Sequence, residues 1–167
     1  MKPSVYPIDL DAPGRLFLMP KPSGDWLRDD LAHLATLGIS VVVSFLEPDE
    51  ARELGLGDER QVCRDLGLTF LAAPIPDRGL PEADAFASLA LDLAARLRAG
   101  EGVAAHCRAG IGRSGMAVCC VLAAFGLSAE EALVRVSRAR GVAVPDTAEQ
   151  AAFIGRIAPR LTAGAAV

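Results

Sequence analysis

The chain lacks the patterns that would mark a metal centre or a disulfide framework. Its four cysteines, Cys63, Cys107, Cys119 and Cys120, form no Cys-x-x-Cys pair, and neither of the two histidines stands at zinc-ligand spacing from them. Neither a disulfide framework nor a metal is therefore expected, and no other cofactor is expected either. An excess of positive charge is also missing: 17 Lys+Arg against 21 Asp+Glu leave a net charge of −4, which removes any global attraction to nucleic acid or anionic lipid. Any anion site must be local. No apolar run reaches the ~18 to 20 residues of a membrane span. The longest uncharged stretch, Ser114 to Ala129, is broken by Gly115 and Gly126 and reads as a buried helix. The first ten residues carry Pro3, Pro7 and Asp9 and do not resemble a secretory signal, so a cytoplasmic protein is expected. Repeats and low-complexity tracts are absent. With 51% hydrophobic and 23% charged residues over 167 positions, the composition is that of one folded domain spanning residues 1–167 around one core.

What is present is an alternation of short apolar strands and amphipathic helices, punctuated by Gly and Pro. Arg15 to Met19 reads as a first strand closed by Pro20 and Pro22. Ser23 or Asp25 can then cap a helix carrying Leu27, Leu31 and Leu34 inward and ending near Gly38, with Trp26 as a packing residue at its start. Ile39 to Phe45, with Val41, Val42 and Val43 in succession, suits a strand covered on both faces, hence a parallel sheet. One or two helices are expected between Pro48 and Gly67, and a strand over Leu68 to Ala72. Pro81 can start a long helix with Phe86, Leu89, Leu93 and Leu97 on one face. Gly102 to His106 is another strand. Helices are then expected from Arg113 to about Phe125, after the capping box of Ser128 with Glu131, and after Asp146 or Thr147. The pattern predicts an α/β fold: a central, mostly parallel sheet flanked by helices on both faces, with a helical C-terminal third.

Chemistry concentrates in His106-Cys107-Arg108-Ala109-Gly110-Ile111-Gly112-Arg113-Ser114, which follows a predicted strand and opens a predicted helix. Backbone N–H groups converging at a helix's positive end make an anion cradle. Gly110 and Gly112 supply the conformational freedom such a wrapped loop needs. Arg113 returns to the loop mouth, where its planar fork can bind two phosphate oxygens at once. Cys107, facing the same N–H groups and helix dipole, is favoured as thiolate, a nucleophile that needs no separate base. His106 is expected to hydrogen-bond backbone and fix the loop. Cys119 and Cys120 are expected in the core, leaving Cys63 as the candidate to resolve an oxidised Cys107.

His-Cys, five residues, then Arg-Ser resembles the signature of the cysteine-dependent protein tyrosine phosphatase superfamily. Pro74-Ile75-Pro76-Asp77, with Thr147 and Gln150 after Arg140-Gly141, is similar to the small dual-specificity phosphatases, in particular the cyclin-dependent kinase inhibitor 3-like branch. The likeness runs from about Pro13 to Ile157. It implies the tyrosine phosphatase-like fold, with the phosphate loop at the carboxyl edge of the sheet. It further implies Cys107 as nucleophile, Arg113 as phosphate clamp, and Ser114 as the hydroxyl that stabilises the thiolate leaving group. Asp77 matches the general acid and Gln150 a residue that orients water in some relatives. The phosphate would lie on Arg108, Ala109, Gly110, Ile111, Gly112 and Arg113. Asp146 stands where the branch often has Gln, and Arg108 where it usually has a polar or small residue.

The resemblance implies a metal-independent phosphomonoester hydrolase working through a phosphocysteine on phosphorylated protein or peptide. At 167 residues the chain has no room for the segments that deepen the pocket of large tyrosine-specific domains, so a shallow pocket and broad specificity are expected. The expected enzyme is a monomer with no nucleic-acid or membrane partner. An inositol phosphate or phosphoinositide phosphatase, a non-catalytic phosphate-binding module and an RNA 5′-triphosphatase are the alternatives.

Overall fold

The computed structural model describes residues 2–165. Five strands form one sheet: β1 (Tyr6–Ile8), β2 (Arg15–Met19), β3 (Val41–Ser44), β4 (Thr69–Ala72) and β5 (Gly102–His106), in the order β1-β2-β5-β3-β4. Only β1 runs antiparallel, against β2; the other three pairings are parallel. Among the described residues there are seven helices: α1 (Leu27–Thr36), α2 (Pro48–Glu53), α3 (Glu59–Asp65), α4 (Ala83–Arg98), α5 (Arg113–Ala124), α6 (Ala129–Arg140) and α7 (Ala148–Ala165).

Side-chain alternation along the strands divides the core into two layers. On one face Phe17, Met19, Val42 and Ala104 meet Leu27, Leu31 and Leu34 of α1 and Cys63 of α3. On the other, Leu16, Leu18, Val41, Val43, Val103 and Ala105 meet α4, α5, α6 and α7. The expected uncharged helix is α5, and every one of its residues is buried. Beyond Arg113 and Ser114 in its first turn, the helix is apolar all round and has to be covered all round, and α5 lies between the sheet and the other three helices. Its small side chains permit this close approach: a Cβ on Gly115 would lie 2.4 Å from a Val144 methyl.

The sheet register positions the functional loop. His106, the last residue of the central strand β5, pairs with Met19 at the end of β2 and with Ser44 at the end of β3. The chain leaving β5 therefore emerges in the crevice at the carboxyl edge, with parallel neighbours on both sides. Open α/β sheets bind ligands at such an edge.

Four local expectations need correction. β1 was not expected, because Tyr-Pro-Ile is short and contains a proline; an edge strand tolerates Pro7 because its outer side needs no ladder donor. Trp26 does not pack: it occupies the N-cap of α1 and is 63% exposed. Neither Ser23 nor Asp25 is that cap; the Ser23 hydroxyl accepts from the Trp26 N–H, and the Asp30 carboxylate reaches back to accept from the Ser23 N–H. Pro81 lies just before α4, whose N-cap is Glu82, its carboxylate accepting from the N–H groups of Asp84 and Ala85. Ser128 caps α6 as expected by accepting from Glu131 N–H, and Thr147 accepts from Gln150 N–H at the start of α7.

Candidate active site

The loop from Cys107 to Gly112 joins β5 to α5 and folds over the end of β2. Gly110 adopts φ +70°, and a Cβ there would lie 2.6 Å from both the Met19 carbonyl carbon and the Pro20 nitrogen, so no other residue fits. At Gly112 a Cβ would lie 2.6 Å from Asp146 Oδ2 and 3.0 Å from Gln150 Oε1, which brings the start of α7 against the loop. The Lys21 N–H donates to the Arg108 carbonyl at 3.1 Å. Arg108 and Ala109 are exposed, Ile111 is half-buried, and Cys107, Gly110 and Gly112 are buried.

Cys107 lies with its Sγ 3.0 Å from the Ser114 Oγ, both side chains buried. Ser114 is in the first turn of α5, so the hydroxyl and the sulfur meet at the helix's positive end. His106 has 0% exposure and pairs through Nε2 with Glu59 Oε1 at 2.6 Å; Glu59 is 2% exposed. Its Nδ1 faces the Cys107 carbonyl oxygen at 3.2 Å, and because a carbonyl only accepts, the ring donates there. The expected hydrogen bond from the ring to backbone is present. Its carboxylate partner was not foreseen, because Glu59 reads in sequence as an ordinary first-turn charge.

Arg113 is 2% exposed, and its protein partners were not foreseen. Nη1 donates to Glu50 Oε1 at 2.7 Å, to the Ile75 carbonyl at 2.9 Å and to the Phe45 carbonyl at 3.4 Å. Nη2 donates to Glu50 Oε2 at 2.9 Å and to Asp77 Oδ1 at 3.2 Å. One guanidinium thus ties together α2, the end of β3 and the loop carrying Asp77. Burial disfavours its charge, but the Glu50 bonds and the nearby Cys107 and Asp77 outweigh it, so the cation is held. Reciprocally, the Arg113 hydrogen bonds keep the Glu50 carboxyl below its usual range. Glu50 escaped the sequence reading because it also serves locally in α2, where its carboxylate accepts from the Glu47 N–H. The signal that could have found it is physical: a buried arginine needs an acid, and no carboxylate adjoins Arg113 in sequence.

Asp77 is half exposed, in a tight turn where the Gly79 N–H donates to the Pro76 carbonyl at 2.7 Å and Arg78 adopts φ +61°. Gln150, fully buried, donates from Nε2 to the Gly79 carbonyl at 3.2 Å and accepts from the Asp146 N–H at 3.1 Å. It therefore stands between the Asp77 turn and the Cys107–Gly112 loop. Cys63 is on the opposite face of the sheet from Cys107, in the other core layer. Burial, with the Glu59 charge behind it, pushes its thiol up to about 12, so it is not placed to resolve an oxidised Cys107. Cys120 is likewise pushed up to about 12 by burial. Among the described residues no cluster of His, Cys, Asp and Glu is arranged to hold a metal ion.

A fold with this crevice, and a buried cysteine and arginine bracketing one loop at its edge, defines a cysteine-dependent phosphatase of the tyrosine and dual-specificity type. The family model described as "Polymorphic toxin system, DSP-PTPase phosphatase" matches residues 19–127, and the chain belongs to that family. No curated protein matches. Among solved structures, the kinase associated phosphatase KAP, with its catalytic-site cysteine substituted by serine, superposes with a TM-score of 0.87 at 20% identity, covering 98% of each chain. Tk-PTP in its active form gives 0.73 at 28% identity, over 93% of this chain and 97% of that one. PTPMT1 in complex with PI(5)P gives 0.75 at 19% identity, over 89% and 92%.

Proposed function

We propose that residues 1–167 form one domain that hydrolyses phosphate monoesters on tyrosine, and on serine or threonine, of proteins. The observation that carries this reading is the joining of the Asp77 turn to the phosphate loop through Arg113, with Cys107 and Ser114 in contact beneath. The loop N–H groups and Arg113 hold the phosphate; the Cys107 thiolate attacks phosphorus, and the P–O bond to the leaving group breaks as Asp77 gives that oxygen its proton. The phosphocysteine is then hydrolysed. Asp77, now a carboxylate, takes a proton from the attacking water, the S–P bond breaks, and Ser114 donates its hydroxyl hydrogen bond to the departing thiolate. Gln150 positions the Asp77 turn through Gly79. Neither metal nor cofactor enters this scheme, and the enzyme acts as a cytoplasmic monomer without nucleic-acid or membrane partners.

The bound PI(5)P of PTPMT1 raises a phosphoinositide as the second reading. Against it, Arg108 is the only basic loop residue besides Arg113, and Ile111 is apolar. Membership of a toxin-system family fits broad protein substrates, since indiscriminate loss of regulatory phosphate is damaging. Turnover of a phosphotyrosine peptide compared with an inositol phosphate and phosphoinositide panel, with and without EDTA, tests the proposal. The peptide should be preferred and EDTA without effect; preference for the inositol compounds would replace this reading by the second.

A further inference from the structure

Besides Lys21, the outer side of the phosphate loop is held by a residue far away in sequence. Arg140, the last residue of α6, donates from Nε to the Gly110 carbonyl and from Nη2 to the Ala109 carbonyl, each at 3.1 Å. Its guanidinium carbon lies 4.4 Å from the ring centroid of Tyr6, in the edge strand β1. Tyr6 is the only tyrosine in the chain. These contacts link the N-terminal strand, the end of α6 and two consecutive peptide groups of the loop.

Peptide planarity gives that link a chemical consequence. In a trans peptide the C=O of one residue and the N–H of the next point in opposite directions. Fastening the Ala109 and Gly110 carbonyls to Arg140 therefore turns the Gly110 and Ile111 N–H groups the other way, toward the concave side of the loop. The Lys21 bond to the Arg108 carbonyl does the same for the Ala109 N–H. A peptide flipped at either Arg140-bonded position would present a carbonyl oxygen to the bound anion and replace attraction by repulsion. Gly110, freed of a Cβ and at positive φ, is where such a flip is least hindered by local sterics.

We infer that Arg140, steadied by Tyr6, is a positioning residue for oxyanion binding: it holds two peptide groups of the loop with their N–H groups facing the phosphate. The inference rests on the phosphatase reading of the loop. An arginine suits the task because its rigid fork offers two donors to two successive carbonyls, whereas lysine is a single mobile point. The Tyr6 face keeps the guanidinium plane in place through a cation–π contact.

The test uses inorganic tungstate as a phosphate mimic and competitive inhibitor, on the full chain. Arg140→Met is expected to weaken tungstate at least about tenfold and to raise KM, with equal losses for good and poor leaving groups. Its melting temperature should stay within a few degrees of wild type. Arg140→Lys should recover only part of the affinity; Tyr6→Leu should lose several-fold and Tyr6→Phe nothing. Added methylguanidinium should tighten tungstate binding to Arg140→Ala but not to wild type. Should Arg140→Met fail to fold, Tyr6→Leu and Arg140→Lys carry the test. Tungstate affinities within twofold of wild type in the folded variants would overturn the inference, as would a fall in melting temperature with unchanged affinity. A wild-type protein that binds no tungstate overturns the phosphatase reading, and this inference with it.

Discussion

Replacing Glu50 by glutamine probes the residue on which the arrangement of Arg113 depends. Both Glu50 oxygens accept from the guanidinium, at 2.7 and 2.9 Å, and the other acceptors around the buried Arg113 are the Phe45 and Ile75 carbonyls and the half-exposed Asp77 carboxylate. Glutamine keeps one acceptor and turns an NH2 group toward the cation, so one charge-assisted bond is lost and a donor faces a donor. A hydrogen bond to a charged group contributes ~1.5–3 kcal/mol, and breaking a buried ion pair costs about 3–5. Glu50 is only partly shielded from water, which places the loss near the lower range, about 2 kcal/mol. If Arg113 loses its orientation as a result, kcat/KM for a phosphotyrosine peptide falls roughly 30-fold. Stability carries a second signature. The folded protein holds the Glu50 carboxyl below its ordinary 4.5, so the pair's contribution is fully present above about pH 4.5 and is lost as pH falls through the lowered folded value. Glu50→Gln should thus flatten the acid side of the stability curve, measured by urea titration between pH 3 and 7. A variant with kcat/KM within twofold of wild type and an unchanged acid limb would refute the claim that Glu50 sets Arg113.

Cys107→Ser should abolish turnover yet still bind tungstate, because the cradle is backbone and Arg113; turnover near the wild-type rate would sink the covalent mechanism. Asp77→Asn should slow hydrolysis of a phosphate ester with a poor leaving group by ~100-fold or more and an activated aryl ester far less, with the basic limb of the kcat/KM profile flattened. Equal, small losses for both esters would make Asp77 a turn residue only. Ser114→Ala removes the hydroxyl 3.0 Å from the sulfur and should slow release of the phosphocysteine, visible as a burst of the first product in rapid-mixing assays. Gly110→Ala should cost both affinity and stability, as its Cβ would meet the β2 backbone at 2.6 Å; wild-type melting and tungstate binding would contradict that crowding.

The local chemistry was legible in the sequence because it is carried by consecutive residues. A β-branched run between Gly38 and Pro48 fixes a buried strand, and His106 to Ser114 places nucleophile, glycines and arginine within one turn of chain and one helix start. β2 and β5 have the bounds their sequence implies, and α5 is buried throughout because its residues beyond Arg113 and Ser114 leave no polar face. Tertiary structure alone decided how the cation is compensated and how the loop is braced. Glu50, Glu59 and Arg140 are ordinary helix charges when read along the chain. They become partners of Arg113, His106 and the loop carbonyls only after β3 and β5 align at their carboxyl ends and α6 returns to β1. The reason is that helical periodicity reports which face of a helix is apolar, whereas the partner of a buried charge is chosen by desolvation. Desolvation acts on whatever the completed fold brings within hydrogen-bond reach, regardless of separation along the chain.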